Sequence, residues 1–257
     1  MSHRFEKELY YARVAASTAA QNALRIQRLG VSAETKSDNS PVTIADKEGE
    51  KIIAGILSEA FPNDGILGEE GAAKESTSGR RWIIDPIDGT RDFVRGNHLW
   101  CVLIGLEQGD DVIAGVAHFP VLNRTYFAGR GMGAYCDDTR IQCSNKTTIE
   151  QSSVMIAMGP KILRRPDVAK WNEFVSRFWS FRCLGGALDA MMVASGQAEL
   201  WIEPGAQAWD FAPLKIIGEE SGAKYFTLKG TSSIYDNSGI VCAPGIEAEV
   251  RQFMTEL

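Results

Sequence analysis

The sequence predicts an α+β first half followed by an α/β second half. Two helix-patterned segments precede a run of short apolar segments separated by turn residues, which reads as helices on an antiparallel-rich sheet. After Ser144 the pattern changes to an alternation of strands and helices. The composition supports a buried core, since 44% of the 257 residues are hydrophobic and 23% are charged in mixed sign, which sets disorder aside. The seam falls near residue 145 and divides the chain into an N-terminal α+β subdomain, 1–144, and a C-terminal α/β subdomain, 145–257. No Pro- or Gly-rich linker marks it, so the two are expected to form one compact unit.

Residues 4–29 place Leu9, Ala12, Ala16, Ala20, Ala23 and Leu24 at spacings that favour tight helix packing. A polar stretch from Thr35 to Ser40 ends the pattern. Thr43 is placed to cap a second helix running to Phe61, and Asp46 three residues on completes a capping-box arrangement. Pro62-Asn63-Asp64-Gly65 then supplies turn chemistry. Strands are expected at residues 66–67, 82–84, 100–106, 112–119 and 125–129, with Gly109-Asp110 turning a hairpin. In the second half a strand at 154–158 precedes a helix at 167–178. Strand–helix pairs follow over 181–194 and 200–220, and a strand at 239–242 leads into a C-terminal helix.

No run of about 18 apolar residues is present, so no membrane-spanning helix is expected. The start Met1-Ser2-His3-Arg4-Phe5-Glu6 lacks the basic-then-apolar layout of a signal peptide, which makes the cytoplasm the expected compartment. The net charge is −6 and the basic residues are scattered, Arg80-Arg81 and Arg164-Arg165 being isolated pairs, which argues against nucleic acid as the main ligand. An acidic chain can still bind phosphorylated small molecules when metal ions bring the positive charge. Cys101, Cys136, Cys143, Cys183 and Cys242 form no CxxC pair and no zinc pattern, and read as reduced thiols, mostly buried. Of the three histidines, His3 sits at a terminus expected to fray, leaving His98 and His118. The chemistry is therefore expected to run on carboxylates.

Four acidic elements carry that expectation. In Trp82-Ile83-Ile84-Asp85-Pro86-Ile87-Asp88-Gly89-Thr90 an apolar strand ends in Asp85, because Pro86 cannot continue a sheet ladder. Asp88 follows, and Gly89-Thr90 opens a short helix. Carboxylates at a strand end suit a hard cation such as Mg²⁺, and N–H groups at a helix start suit a phosphate. The plainer alternative is a turn in which Asp88 merely caps the helix. Gly68-Glu69-Glu70-Gly71 is the second element, or else an exposed turn. Trp209-Asp210 is the third, with Asp210 alternatively an N-cap of an apolar helix over 211–217. The fourth, Lys36-Ser37-Asp38-Asn39-Ser40-Pro41-Val42-Thr43-Ile44-Ala45-Asp46, reads equally as a loop and a helix start.

Together the four resemble, in order and spacing, the inositol monophosphatase family of Mg²⁺-dependent phosphatases. Asp85 to Thr90 matches its Asp-Pro-Ile/Leu-Asp-Gly-Thr run, Gly68 to Glu70 its Gly-Glu-Glu, Trp209-Asp210 its Trp-Asp, and Lys36 to Asp46 its Lys-x-Asp…Pro-Val-Thr-x-Ala-Asp stretch. The resemblance runs over roughly residues 5–245. It implies a layered αβαβα sandwich of the inositol monophosphatase and fructose-1,6-bisphosphatase type. It also implies a phosphomonoesterase that works by attack of metal-activated water. By the resemblance, Glu69, Asp85 and the Ile87 carbonyl hold one Mg²⁺, and Asp85, Asp88 and Asp210 a second. Glu69 touches a third through waters, giving roughly two to three ions in all. Gly89 and Thr90 offer N–H groups to the phosphate, and Thr90 with Asp46 orients and deprotonates the attacking water. Asp88, Gly185, Glu203 and Asp210 contact the rest of the substrate. Lithium inhibition and a homodimer are implied as well; the apolar segment 100–106 is a candidate for the subunit contact or, equally, is buried within one subunit.

The substrate class implied by the resemblance is a small phosphorylated metabolite. Arg91-Asp92-Phe93-Val94-Arg95-Gly96, with Trp100 four residues on, resembles the histidinol-phosphate phosphatases of the family, as does the length of the segment from Arg182 to Gly196. Inositol-phosphate members often carry Asn-Phe-Val-His in the first stretch, and myo-inositol 1-phosphate is the alternative substrate. One departure stands out: histidinol-phosphate members usually have Gly-Asp where this chain has Gly185-Gly186, which leaves Asp189 or Glu203 to meet the substrate ammonium. A role in binding transcription machinery or RNA is a further alternative. A catalytically dead scaffold is disfavoured because all the expected metal carboxylates are present.

Overall fold

The computed structural model describes residues 5–30, 33–35, 41–157 and 160–257. Lys36 to Ser40, His3 and Met158, which figured in the sequence reading, lie outside the described residues. Helix α1 (Glu6–Leu29) buries Ala12, Ala15, Ala16, Ala19, Ala20 and Ala23, a face of small side chains against which another helix packs closely. A short antiparallel ribbon, β1 (Glu34–Thr35) with β2 (Pro41–Val42), leads into that partner, α2 (Ile44–Ala60). The Thr43–Asp46 capping box at the start of α2 is present as expected.

The first sheet follows. Its strands are β3 (Gly65–Gly68), β4 (Ala73–Lys74) and β5 (Arg80–Asp88), then, after the short α3 (Thr90–Val94), β6 (Cys101–Gln108), β7 (Asp111–Phe119), β8 (Arg124–Gly129), β9 (Gly133–Cys136) and β10 (Thr139–Ile141). They pair in the order β10-β9-β8-β7-β6-β5-β3-β4, antiparallel throughout except where β3 and β5 run parallel. The second half supplies β11 (Ser153–Ile156), α4 (Pro160–Leu163), α5 (Val168–Ser176), β12 (Ser180–Arg182), α6 (Gly186–Ala194), β13 (Leu200–Glu203), α7 (Ala208–Glu220), β14 (Lys224–Phe226), β15 (Gly239–Cys242) and α8 (Glu247–Thr255). Its sheet order is β12-β11-β13-β15-β14; β11 lies parallel to both neighbours, whereas β15 lies antiparallel to both of its own.

Alternation along the strands sorts these elements into five layers. On β5, Trp82 and Ile84 join α1 and α2 in one core, whereas Ile83 turns to the other face and joins Phe211, Ala212 and Ile216 of α7. Beyond α6 and α7 comes the second sheet, which contributes Trp201 and Val241 to that same core. The far side of this sheet packs Val154, Ile156, Leu200 and Ile202 against Trp171 and Phe174 of α5 and Val250 and Phe253 of α8. The result is the αβαβα sandwich. The approach of α7 to the first sheet is close enough to require glycine on the strands: a Cβ on Gly105 would stand 2.7 Å from the Ala212 Cβ, and one on Gly115 2.8 Å from the Pro213 Cα.

Two expectations are corrected. Strand β5 does not end at Asp85 but continues through Pro86 to Asp88, because an irregularity in the pairing with β6 between Asp85 and Asp88 spares the proline a ladder bond. Helix α7 begins at Ala208 with Gln207 as its cap, so Asp210 is its third residue and not the N-cap. Trp100 and residues 101–106 of β6 are buried, β6 lying between β5 and β7 with Gly105 against α7, so the alternative of burial within one subunit holds for them. Among the described residues no helix is long and apolar enough to cross a membrane.

Candidate active site

The irregularity in β5 aims the first two carboxylates. Asp85 pairs with Leu103 and Asp88 with Cys101, three positions on one strand against two on the other. Without the extra residue, Asp85 and Asp88 would point to opposite faces. With it, both face α7, which brings Asp210 from its first turn. Oxygen atoms of Asp85, Asp88 and Asp210 all lie within 4.8 Å of one another. Asp85 is 1% exposed, whereas Asp88 and Asp210 open partly to solvent.

Each carboxylate is anchored. Asp85 Oδ1 accepts the Ile87 N–H at 2.9 Å, Asp88 Oδ2 the Ala187 N–H at 3.2 Å, and Asp210 Oδ2 the Gln207 N–H at 2.6 Å. The Cys101 thiol also donates to Asp88 Oδ2, at 3.7 Å, and burial pushes its pKa well up, so it stays protonated. Burial drives the Asp85 and Asp210 carboxyls well above the usual range, and the neighbouring carboxylates push the same way: Glu69, Asp210 and Asp88 act on Asp85, and Asp88, Glu69 and Glu203 on Asp210. Asp88 is raised by burial and by Asp92, against the relief given by the Ala187 N–H and the Cys101 thiol. Among the described residues no lysine or arginine forms an ion pair with any of the three.

A divalent cation fits this donor set. Converging carboxylate oxygens that repel one another are what a hard metal ion stabilises. Glu69 stands beside the group rather than within it. Its N–H donates to the Ile84 carbonyl at 3.1 Å, and its carboxyl is in hydrogen-bonding reach of Asp85.

Thr90 and Asp46 meet as expected. The Thr90 hydroxyl is shared between Asp46 Oδ1 and the Ile87 carbonyl, both at 3.2 Å. The other Asp46 oxygen accepts from the Thr43 N–H at 2.8 Å and the Thr43 hydroxyl at 2.6 Å, which leaves Oδ1 for Thr90. Burial outweighs the Thr43 bonds and pushes the Asp46 pKa up to about 6. Gly89 caps α3 at φ 87°, and the first N–H groups of that helix have no intrahelical acceptor. Gln27 of α1 holds the far end of α3 through the Phe93 carbonyl at 2.7 Å.

The loop before α6 meets Asp88 from another side. The N–H groups of Leu184 and Gly185 both donate to Asp189. Asp189 is 1% exposed and occupied in shaping the loop, so it is not placed to meet a substrate ammonium, which corrects that expectation. Gly186, at φ 43°, packs on Asp88, and a Cβ there would stand 2.7 Å from Asp88 Oδ2. Glu203, at the end of β13, accepts the Gly205 N–H at 3.2 Å and borders Asp210. Arg95 and His98 are exposed.

Sequence reasoning missed three residues here. Glu50 braces the Glu69 loop, Cys101 supports Asp88, and Asp92 stands beside Gly89: Asn97 donates to its Oδ1, while Oδ2 lies 3.5 Å from the position of a Cβ on Gly89. Only the capping-box spacing, which marks the start of α2, gave any hint of the first.

Known proteins resemble this chain over most of its length. The sequence model of the inositol monophosphatase family matches residues 3–255. A histidinol-phosphatase of Chlorobaculum parvum is 38% identical over 209 residues, 81% of each chain. An inositol-1-monophosphatase of Mesorhizobium japonicum is 33% identical over 222 residues, 84% of this chain and 82% of its own. The solved structure of an IMPase from Thermotoga maritima superposes with a TM-score of 0.88 at 26% identity, covering 97% of both chains.

Proposed function

The chain belongs to the inositol monophosphatase family, a family of phosphatases, and from that premise we propose that it is a Mg²⁺-dependent phosphomonoesterase whose favoured substrate is L-histidinol phosphate. The observation that carries the metal-dependent reading is the convergence of Asp85, Asp88 and Asp210, whose ligand oxygens all lie within 4.8 Å of one another. Glu69 and the Ile87 carbonyl complete the ligand set. An all-oxygen set favours Mg²⁺ over softer metals. When bound there, a divalent cation supplies positive charge for a phosphate dianion and favours deprotonation of water.

The remaining steps fall to the chain's own groups. The N–H groups of Gly89 and Thr90 bind phosphate oxygens. Thr90 Oγ1, its proton directed to Asp46, accepts a hydrogen bond from the attacking water and orients it toward phosphorus. Asp46, with a pKa of about 6, is poised to take the proton relayed through Thr90. Asp88, Gly185, Glu203 and Asp210 line the leaving-group side, where Glu203 is the carboxylate for an amine or hydroxyl.

What supports histidinol phosphate is the 38% identity to a histidinol-phosphatase and the Phe93-Val94-Arg95-Gly96…Trp100 segment. The similarity to an inositol-1-monophosphatase favours a second reading, inositol 1-phosphate. Phosphate release from histidinol phosphate, inositol 1-phosphate, a sugar bisphosphate and a nucleotide 3'-phosphate separates them. The expected result is the highest kcat/KM on histidinol phosphate, abolished by EDTA and inhibited by Li⁺. No turnover of any of the four with Mg²⁺ present contradicts the proposal. We assign the chain a homodimer, supported by the exposed Trp179, Phe181 and Leu184 at and beside the open edge strand β12.

A further inference from the structure

The loop that carries Glu69 is held by a residue outside the metal-ligand set. Glu50 lies on α2, 3% exposed. Its Oε2 accepts the Glu70 N–H at 2.7 Å and its Oε1 the Ala72 N–H at 2.6 Å. These are short, charge-assisted bonds to backbone. Inside the turn, Gly68 donates to the Ala72 carbonyl at 2.8 Å, and a Cβ on Gly68 would collide with the Glu50 carboxylate. The bond from the Glu69 N–H to Ile84 ties the same loop to β5, one residue before Asp85.

Four residues before Glu50, on the same buried side of α2, Asp46 holds Thr90. One helix therefore references two arms of the site: Asp46 the start of α3, Glu50 the turn after β3.

We propose that Glu50 is a positioning residue which orders the 68–72 turn in the metal-free protein, so that Glu69 is in place before a cation binds. This rests on the reading of Glu69 as a metal ligand. Glu50 touches neither metal nor substrate. It removes from cation binding the cost of ordering a loop. Without its two acceptors the turn samples other conformations, and the cation must select the competent one.

The test uses the full-length protein with Mn²⁺ as probe, its binding followed by electron paramagnetic resonance, together with amide hydrogen exchange in EDTA. In Glu50→Gln, which keeps shape but loses one acceptor, Mn²⁺ affinity is expected to fall about tenfold or more. Activity should return when Mg²⁺ is raised, and the Glu70 and Ala72 amides should exchange faster with the rest of the chain unchanged. Gly68→Ala, which displaces the carboxylate from the other side, is expected to reproduce the effect and serves if Glu50→Gln fails to fold. Unaltered Mn²⁺ affinity in a folded Glu50→Gln, or Glu70 and Ala72 amides that exchange at unprotected rates in the wild type, overturns the proposal. Glu69→Gln is measured in parallel: unchanged Mn²⁺ binding there removes Glu69 as a ligand, while the amide exchange still decides whether Glu50 orders the turn.

Discussion

Asp85 and Asp88 stand three residues apart on β5, yet they pair with Leu103 and Cys101, two residues apart on β6. This one-residue excess turns both carboxylates toward α7 and Asp210 and so assembles the site. Pro86 sits inside it, where its missing N–H deprives no partner.

Neutralising a carboxylate of this group without changing its shape removes ligand charge. Asp88→Asn and Asp210→Asn are each expected to lower kcat by about 100-fold or more while circular dichroism stays native. Near-normal turnover in either removes that residue from the metal role.

Thr90 and Asp46 are expected to act as one unit, because the threonine hydroxyl donates to Asp46 Oδ1. Thr90→Ala and Asp46→Asn are each expected to reduce kcat by about 100-fold, and the double variant to be little worse than either. Additive losses in a double-mutant cycle contradict a shared proton path.

The fold was legible where periodicity and motif agree. Alanine spacing marked α1 and the Thr43–Asp46 pair marked the start of α2, while the passage from the first sheet to the second falls between Ile141 and Ser153. The carboxylates that converge were named from their sequence contexts. The extra residue in β5 was not legible, because alternation cannot count a residue that the partner strand skips. Glu50 was hidden for another reason: a glutamate between two lysine-flanked turns of helix reads as solvated surface, and only the approach of the 68–72 turn buries it. Asp189 looked available for substrate because nothing in its sequence shows the Leu184 and Gly185 N–H groups folding back onto it.

Metal-free protein is expected to lose stability as pH rises. Burial raises Asp46 to about 6 and raises Asp85, Asp88 and Asp210 as well. Acids whose folded pKa exceeds the unfolded value bind protons more tightly when folded, so their contribution is full below the unfolded pKa and lost as pH climbs through the folded one. In EDTA the Tm should fall between about pH 4 and about pH 6, the span set by Asp46, and Mg²⁺ should restore more of it at the higher pH, since binding displaces protons. A Tm in EDTA that is flat or rising over that range contradicts the mutual repulsion.

Gly186 combines a left-handed backbone with close contact to Asp88. Gly186→Ala is expected to cost about 1 kcal/mol or more of stability and to lower kcat by disturbing Asp88. A variant with wild-type Tm and kcat shows that the loop yields freely.

The proposed dimer gives a direct expectation. Trp179 is 73% exposed beside the β12 edge, and Trp179→Glu should shift the mass measured by light scattering from dimer to monomer. A monomeric wild type removes the assignment.

The claim on which the account rests is that Asp85, Asp88 and Asp210 together hold divalent cation at the catalytic centre. An anomalous difference map from crystals soaked in Mn²⁺ tests it most directly. The expected result is at least one strong peak about 2.2 Å from oxygens of these three side chains, with Glu69 alongside. Peaks confined to other sites, in protein that still hydrolyses a phosphate monoester, contradict it.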